Sequence, residues 1–125
     1  MISDEIKCKL YRLNNLTVTR VSIDQWAVEL IVGEFALYVE SEWVLLTNGN
    51  EVVDKYLDLA SRGNFNLWQL LGKQISDVDL VDGELSNLKL TFSNESQFIA
   101  YANDDDFEDW SVTGPSLNIT CMRKI

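Results

Sequence analysis

An acidic stretch near the end of the chain is the densest group of side chains that could do chemistry. It reads NDDDFEDW from Asn103 to Trp110, and five of the six positions from 104 to 109 are acids. Carboxylates at this density could bind calcium, but the glycine and the distal glutamate of an EF-hand loop are both missing. We therefore predict no tight calcium site. A docking surface for a cationic partner and a solvated loop with local hydrogen bonds both stay open.

Asp77 and Asp79 are a second pair of acids that could act together, as a general acid and a general base. They lie in the alternating segment ISDVDLV, residues 75–81, which is typical of a strand. Residues two apart on a strand share a face, so the two carboxylates would lie close to each other. Alternating acids are also the ordinary solvent-facing side of a strand. We interpret this pair as surface.

The groups that most enzymes use are missing from the composition. The chain contains no histidine, which removes the commonest general base and the commonest metal ligand. Cys8 and Cys121 therefore have no imidazole to activate them as nucleophiles. The six glycines are isolated and form no phosphate-binding loop. We predict a protein that is not an enzyme and that holds no metal and no cofactor.

Charge restricts the class of partner. The 125 residues carry 20 acids and 10 bases, a net charge of −10. Nucleic acids and anionic membrane surfaces both attract basic proteins, so neither is an expected partner. A basic protein or a cation is favoured, although acidic surfaces also simply keep proteins soluble. The hydrophobic fraction of 46% is enough for one folded domain spanning residues 1–125.

Targeting signals are not evident in the sequence. The first ten residues, MISDEIKCKL, lack the apolar segment of a signal peptide, and no apolar run approaches the length of a membrane span. We therefore expect the protein in the cytoplasm. In that compartment Cys8 and Cys121 are expected to stay reduced.

Two parts of the chain resemble each other. Residues 10–23, LYRLNNLTVTRVSI, match residues 67–80, LWQLLGKQISDVDL, without a gap. With small insertions in the turns the match extends to Phe35 with Phe98 and Trp43 with Trp110. We predict a duplicated β-meander, in units of about 10–48 and 67–114. Trp43 and Trp110 would then be buried at matching places.

Short alternating segments separated by turn residues predict nine strands. One helix is predicted over about 51–62 as the link between the two units, because Val53, Leu57 and Ala60 share a helical face and Gly63 follows. Short helices are also favoured over 65–71 and over 3–13, although Ile6, Cys8 and Leu10 alternate with lysines and would also fit a strand. The predicted class is α+β with mostly antiparallel sheet. The predicted strands are 17–23, 26–32, 35–40, 43–47, 75–81, 85–92, 97–102, 110–113 and 117–122.

The second half of the chain resembles small bacterial immunity proteins, including those of contact-dependent growth inhibition systems. The resemblance covers Leu70 to Pro115 and rests on a strand, an acidic stretch ending in DFEDW, and the pattern W-x-V-x-G-P from Trp110 to Pro115. It implies binding and neutralisation of a cognate toxin domain. It identifies no binding residue, because these families diverge at the toxin-binding surface. Trp110, Gly114 and Pro115 are interpreted as structural.

Charge and resemblance together predict the partner. Many such toxins are nucleases, whose substrate site must be basic, so we expect a basic toxin domain bound through an acidic surface. Trp26 and Phe107 have no equivalent in the other half of the sequence match, and both stand near acids. Aromatic residues of this kind are typical of interface hot spots. The alternative is a small cation- or ligand-binding β-rich module without catalysis. The predicted partner-binding residues are Asp104, Asp105, Asp106, Phe107, Glu108, Asp109, Asp82, Glu84 and Trp26.

Overall fold

The computed structural model describes residues 8–24, 27–56, 66–81, 87–102 and 108–122, with the backbone alone at 81, 108–109 and 120–122. Ten strands lie in these ranges. Five of them alternate strictly between buried and more exposed residues, as expected when successive side chains of a strand point to opposite faces. The strands are β1 Val18–Ile23, β2 Val28–Val32, β3 Phe35–Val39, β4 Trp43–Leu46, β5 Val52–Lys55, β6 Ile75–Val81, β7 Asn87–Phe92, β8 Gln97–Ala100, β9 Glu108–Gly114 and β10 Leu117–Met122.

The strands form two antiparallel sheets of five. Sheet 1 has the order β1-β2-β3-β9-β10, and sheet 2 has the order β5-β4-β8-β7-β6. Each half of the chain therefore contributes a three-stranded meander to one sheet and a hairpin to the other. The β4–β5 hairpin joins the meander β6-β7-β8, while the β9–β10 hairpin joins the meander β1-β2-β3. Neither sheet is complete without both halves.

One hydrophobic core lies between the two sheets and draws residues from both. Trp43 and Trp110 are 3% and 2% exposed, which confirms their predicted burial. The Trp43 ring stacks on Phe98 with 5.8 Å between ring centroids. Two 3₁₀ turns contribute further leucines to this core. The turn Tyr11–Leu13 contacts β6 and the turn Leu67–Leu70 contacts β1.

The predicted short helices agree with the described residues. Residues 8–10 form a helical turn that continues into the 3₁₀ turn Tyr11–Leu13, and Leu67–Leu70 is also 3₁₀. The longer predicted helix is wrong where it can be compared: Val52–Lys55 is a strand paired with β4. Residues 57–62, the remainder of that prediction, lie outside the described residues. The described part of the fold is therefore mostly antiparallel β.

The strand pairing also corrects one part of the sequence match. Leu30 pairs with Leu37 in sheet 1, and Leu90 pairs with Phe98 in sheet 2. Because Leu30 and Leu90 occupy the same position in their meanders, the counterpart of Phe98 is Leu37 and not Phe35. The mistake shifts the match by two residues. Side chains on a strand repeat with a period of two, so such a shift keeps the inward and outward alternation intact.

Candidate functional site

Most of the predicted partner-binding residues lie outside the described residues: Trp26, Asp82, Glu84, Asp104, Asp105, Asp106 and Phe107. Glu108 and Asp109 begin β9, where the backbone alone is described. The position of the site therefore has to be derived from the strand ends that flank these segments.

Both connections between the sheets lie at one end of the sandwich. In sheet 1, Val39 of β3 pairs with Trp110 near the start of β9. In sheet 2, Trp43 at the start of β4 pairs with Ala100 at the end of β8. Three residues, 40–42, join Val39 to Trp43, so these paired rows lie within about 14 Å of each other. We call the end of the sandwich where the Val39–Trp110 and Trp43–Ala100 pairs lie the crossover end.

The β1–β2 turn lies at the crossover end as well. Val28 at the start of β2 pairs with Val39, which places the turn beside the 40–42 connection. The turn is closed by Asp24: its N–H donates to the Ala27 carbonyl oxygen at 2.9 Å, and its Oδ1 accepts from the Ala27 N–H at 2.7 Å. Trp26 stands between Asp24 and Ala27 in the sequence.

The β6–β7 and β8–β9 connections begin at neighbouring positions of the same end. Val81 pairs with Asn87, so these two residues flank the segment 82–86. The Asn87 Oδ1 accepts a hydrogen bond from the Ala102 N–H at 2.8 Å. Ala102 immediately precedes the segment 103–107. The two acidic segments therefore leave sheet 2 from positions that are hydrogen-bonded to each other.

A buried serine forms a hydrogen bond between the two sheet-to-sheet connections. The Ser41 hydroxyl donates to the Tyr101 carbonyl oxygen. The Tyr101 N–H in turn donates to the Glu42 carbonyl oxygen at 2.9 Å, which extends the β4–β8 pairing by one row. Ser41 is only 5% exposed. Sequence reasoning missed this contact, because nothing local indicates that residues sixty positions apart are hydrogen-bonded.

The acid excess of the chain belongs to these connections. Residues 24–27, 40–42, 82–86 and 101–107, together with the first two residues of β9, carry ten acids and no lysine or arginine. The rest of the chain carries the other ten acids and all ten bases, so its formal charge is zero. Two of those bases, Arg123 and Lys124, follow β10, which also ends at the crossover end. With them included, the formal charge of the connections at this end is still strongly negative.

Asp77 and Asp79 lie on the outward face of β6, as predicted, with Asp77 exposed and Asp79 partly buried. The Asp79 Oδ1 accepts from the N–H of the next residue, Leu80, at 2.9 Å. Asp54 accepts three backbone hydrogen bonds, from the N–H groups of Lys55, Asn66 and Leu67. It acts as a structural acceptor. Across the described ranges, no three His, Cys, Asp or Glu side chains are grouped to hold a metal ion.

An apolar surface on the outside of sheet 2 was not predicted. Val44 pairs with Ile99 on the outward-facing side, and both are partly exposed. Leu46, two residues along β4, faces the same way and pairs with Val52, which is 58% exposed. We call Val44, Leu46, Val52 and Ile99 the apolar face. An alternating pattern does not distinguish this surface from a core-facing one, because apolar residues occur on both sides of β4.

Two remaining predictions concern compartment. Within the described ranges, no helix has the length and apolar character needed to cross a membrane. Cys8 is exposed and forms no disulfide. The Cys121 side chain lies outside the described residues, so the prediction that both thiols stay reduced remains a prediction.

Comparison of the chain with models of protein families, with curated proteins and with solved structures found no significant match.

Proposed function

We propose that this chain is an immunity protein that binds and neutralises a cognate toxin domain, a basic nuclease, through the acidic surface of the crossover end. The observation that carries the proposal is the distribution of charge. Four connections at one end of the sandwich, together with the first two residues of β9, contain ten acids and no base, while the rest of the chain is formally neutral. The resemblance of residues 70–115 to immunity proteins supports the same partner class.

The chemistry of a nuclease explains why such a surface would inhibit it. A nuclease site must attract phosphate groups, so its positive field also attracts carboxylates. Opposite charges on two surfaces raise the association rate, and packed or desolvated contacts then set the dissociation rate. In this proposal Asp104, Asp105 and Asp106 steer the toxin. Trp26 and Phe107 supply aromatic contact area.

The proposal is tested with the toxin domain encoded beside this chain. We expect the two proteins to co-purify, and we expect the chain to abolish nuclease activity at an equimolar ratio. Cells that produce the toxin domain should survive only when they also produce the chain. If no neighbouring gene encodes such a domain, or if the purified domain neither binds the chain nor loses activity, the proposal is wrong.

We further propose that the two halves of the chain are duplicated copies of one unit. Support comes from matching irregularities, since the β1–β2 pairing shifts between Val18 and Arg20 and the β6–β7 pairing shifts between Ile75 and Asp77. An experimental structure tests this directly. Failure of the paired strands of the two halves to superpose would contradict it.

A further inference from the structure

The two sheets provide an internal comparison for the apolar face. Trp43 and Trp110 are both buried, and each pairs with the last residue of a meander, Ala100 or Val39. The strands β4 and β9 therefore occupy corresponding places in their sheets. It follows from the pairing that each residue of the apolar face has a counterpart on the side of sheet 1 that faces away from the core, where Ser111 is itself only 8% exposed. The pairs are Val44 with Ser111, Leu46 with Thr113, Val52 with Asn118 and Ile99 with Tyr38.

The counterparts in sheet 1 are more polar at the same backbone positions. Serine, threonine and asparagine stand where sheet 2 has Val44, Leu46 and Val52. Folding of this architecture therefore does not require aliphatic side chains at these places. Exposed aliphatic clusters are unfavourable in water and are typical of surfaces that a partner covers.

The apolar face is continuous with the crossover end. Glu42 lies two residues before Val44, and Tyr101 lies two residues after Ile99, so both continue the outward rows of β4 and β8. Their pairing is fixed by the Tyr101 N–H, which donates to the Glu42 carbonyl oxygen at 2.9 Å. The aliphatic rows thus lead directly to the connections that carry the acid excess.

We infer that the apolar face is the water-excluding centre of the toxin interface and that the crossover end is its acidic rim. This inference rests on the proposed function and assigns it a second surface. The occupant is a toxin domain that presents an aliphatic or aromatic patch bordered by lysine or arginine on one side. The acid excess decides its orientation: the aliphatic rows lead through Glu42 to the crossover end, so the basic border of the toxin lies on that side.

A second copy of the chain is a poorer occupant. Each copy carries a net charge of −10, and bringing two such molecules together is opposed by their mutual repulsion. A basic toxin instead gains from the same charge. Protein interfaces also usually have apolar contacts at the centre and polar or charged contacts at the rim.

The test exchanges residues between corresponding positions. Val44→Ser combined with Leu46→Thr places the sheet 1 residues into sheet 2. The matched control is Ile31→Thr, which gives an outward residue of sheet 1 the identity of its counterpart, Thr91. We expect the double variant to dissociate from the toxin domain about ten- to hundredfold faster, and the control to bind like the parent. Thermal unfolding monitors the fold of each variant.

A second variant keeps the test decisive if the double variant fails to fold. Ile99→Tyr introduces the residue of the counterpart Tyr38 and changes the shape of the apolar face while keeping it largely apolar. Weaker binding in a folded variant of the apolar face, with the control unchanged, supports the inference.

Three results would overturn the inference. Equal binding by the parent and the apolar-face variants removes it and leaves the proposed function standing. A parent that does not bind the toxin domain removes both. Sedimentation of the parent as a dimer that Val44→Ser with Leu46→Thr converts to monomer would assign the apolar face to self-association instead.

Discussion

Thr17 and Gln74, which stand fifty-seven positions apart, form an isolated antiparallel bridge between the starts of β1 and β6. The backbone hydrogen bonds around this bridge occur in pairs related by the same spacing. A two-fold relation between the halves would produce this arrangement, with its axis passing through the bridge. In the first pair, the Asn15 N–H donates to the Ile75 carbonyl oxygen at 2.7 Å and the Gly72 N–H donates to the Val18 carbonyl oxygen at 2.8 Å. In the second pair, the Ile75 N–H donates to the Leu16 carbonyl oxygen at 2.8 Å and the Val18 N–H donates to the Lys73 carbonyl oxygen at 2.9 Å.

The first prediction concerns Gly72, which stands beside the bridge at the place that corresponds to Asn15 in the other half of the chain. Both have left-handed backbone conformations, with φ of +80° and +70°. Gly72→Ala should lower the free energy of unfolding by about 1 kcal/mol, since alanine is strained at positive φ even where nothing crowds its Cβ. Gly72→Asn should cost clearly less, because asparagine tolerates this conformation. Urea unfolding measures both. Equal losses for the two variants would mean that strain is not the cause.

Asp54 gives the second prediction. Its Oδ2 accepts hydrogen bonds from the Asn66 and Leu67 N–H groups, both at 2.9 Å. Leu67 is fully buried, so Asp54→Ala leaves donors without an acceptor and should cost about 2–3 kcal/mol of unfolding free energy. Asp79→Ala is the matched control, since Asp79 accepts only from its own neighbour Leu80 among the bonds described for it. We expect the control to change stability by less than about 0.5 kcal/mol. Similar losses in both variants would contradict the capping role.

Gly114 gives the third prediction and explains the pattern W-x-V-x-G-P. Trp110 and Val112 face the core, while a Cβ at position 114 would overlap the Phe35 ring and lie 2.9 Å from the Glu34 carbonyl oxygen. Gly114→Ala should therefore destabilise the fold by about 1–3 kcal/mol.

The control for Gly114 is Gly49→Ala. An added Cβ at Gly49 meets only the Thr47 Oγ1, at 3.9 Å, which is ordinary contact. Chemical denaturation of the two variants distinguishes them. A Gly114 variant as stable as the parent would show that the two chain segments can separate at little cost.

The strand β5 shows where sequence reasoning stops. Alternation located the other nine strands, because burial on one face is a local pattern. Val53, Leu57 and Ala60 have helical spacing, and no local signal opposes a helix there. The strand is selected by pairing with β4 and by the bonds from Asp54 to residues twelve and thirteen positions later. Such contacts are set by the whole fold, so a reading of neighbours in sequence cannot find them.

The sequence indicated which residues belong to the candidate site, but it did not indicate which strand ends come together there. The acids of 82–86 and 101–109 are visible in the sequence, and so is Trp26. The convergence of the strand ends that flank these residues depends on the exchange of hairpins between the two meanders, which the sequence match did not reveal. The apolar face was missed for a related reason: Val44 and Leu46 alternate with the buried Trp43 and Leu45, so β4 is apolar on both sides.

The last prediction separates the effect of the crossover end from that of net charge alone. Asp105→Lys with Glu108→Lys changes the net charge by four, in the connection between β8 and β9 and at the first residue of β9. Glu34→Lys with Glu95→Lys changes it by the same amount in the β2–β3 and β7–β8 turns, which lie at the opposite end of the strands. If the crossover end steers a basic toxin domain, the first variant should associate more slowly and with a flatter dependence on salt.

The control should keep most of the parent's association rate, because its altered charges lie a strand length, roughly 13 Å, from the crossover end, which exceeds the screening length of roughly 8 Å at physiological salt. Stopped-flow association at low and high salt measures the difference. Rim charges act mainly on association, at roughly 0–1 kcal/mol each, whereas the apolar-face variants should act on dissociation. If both charge variants slow association equally, the field of the whole molecule steers the partner, and the crossover end has no special part in binding.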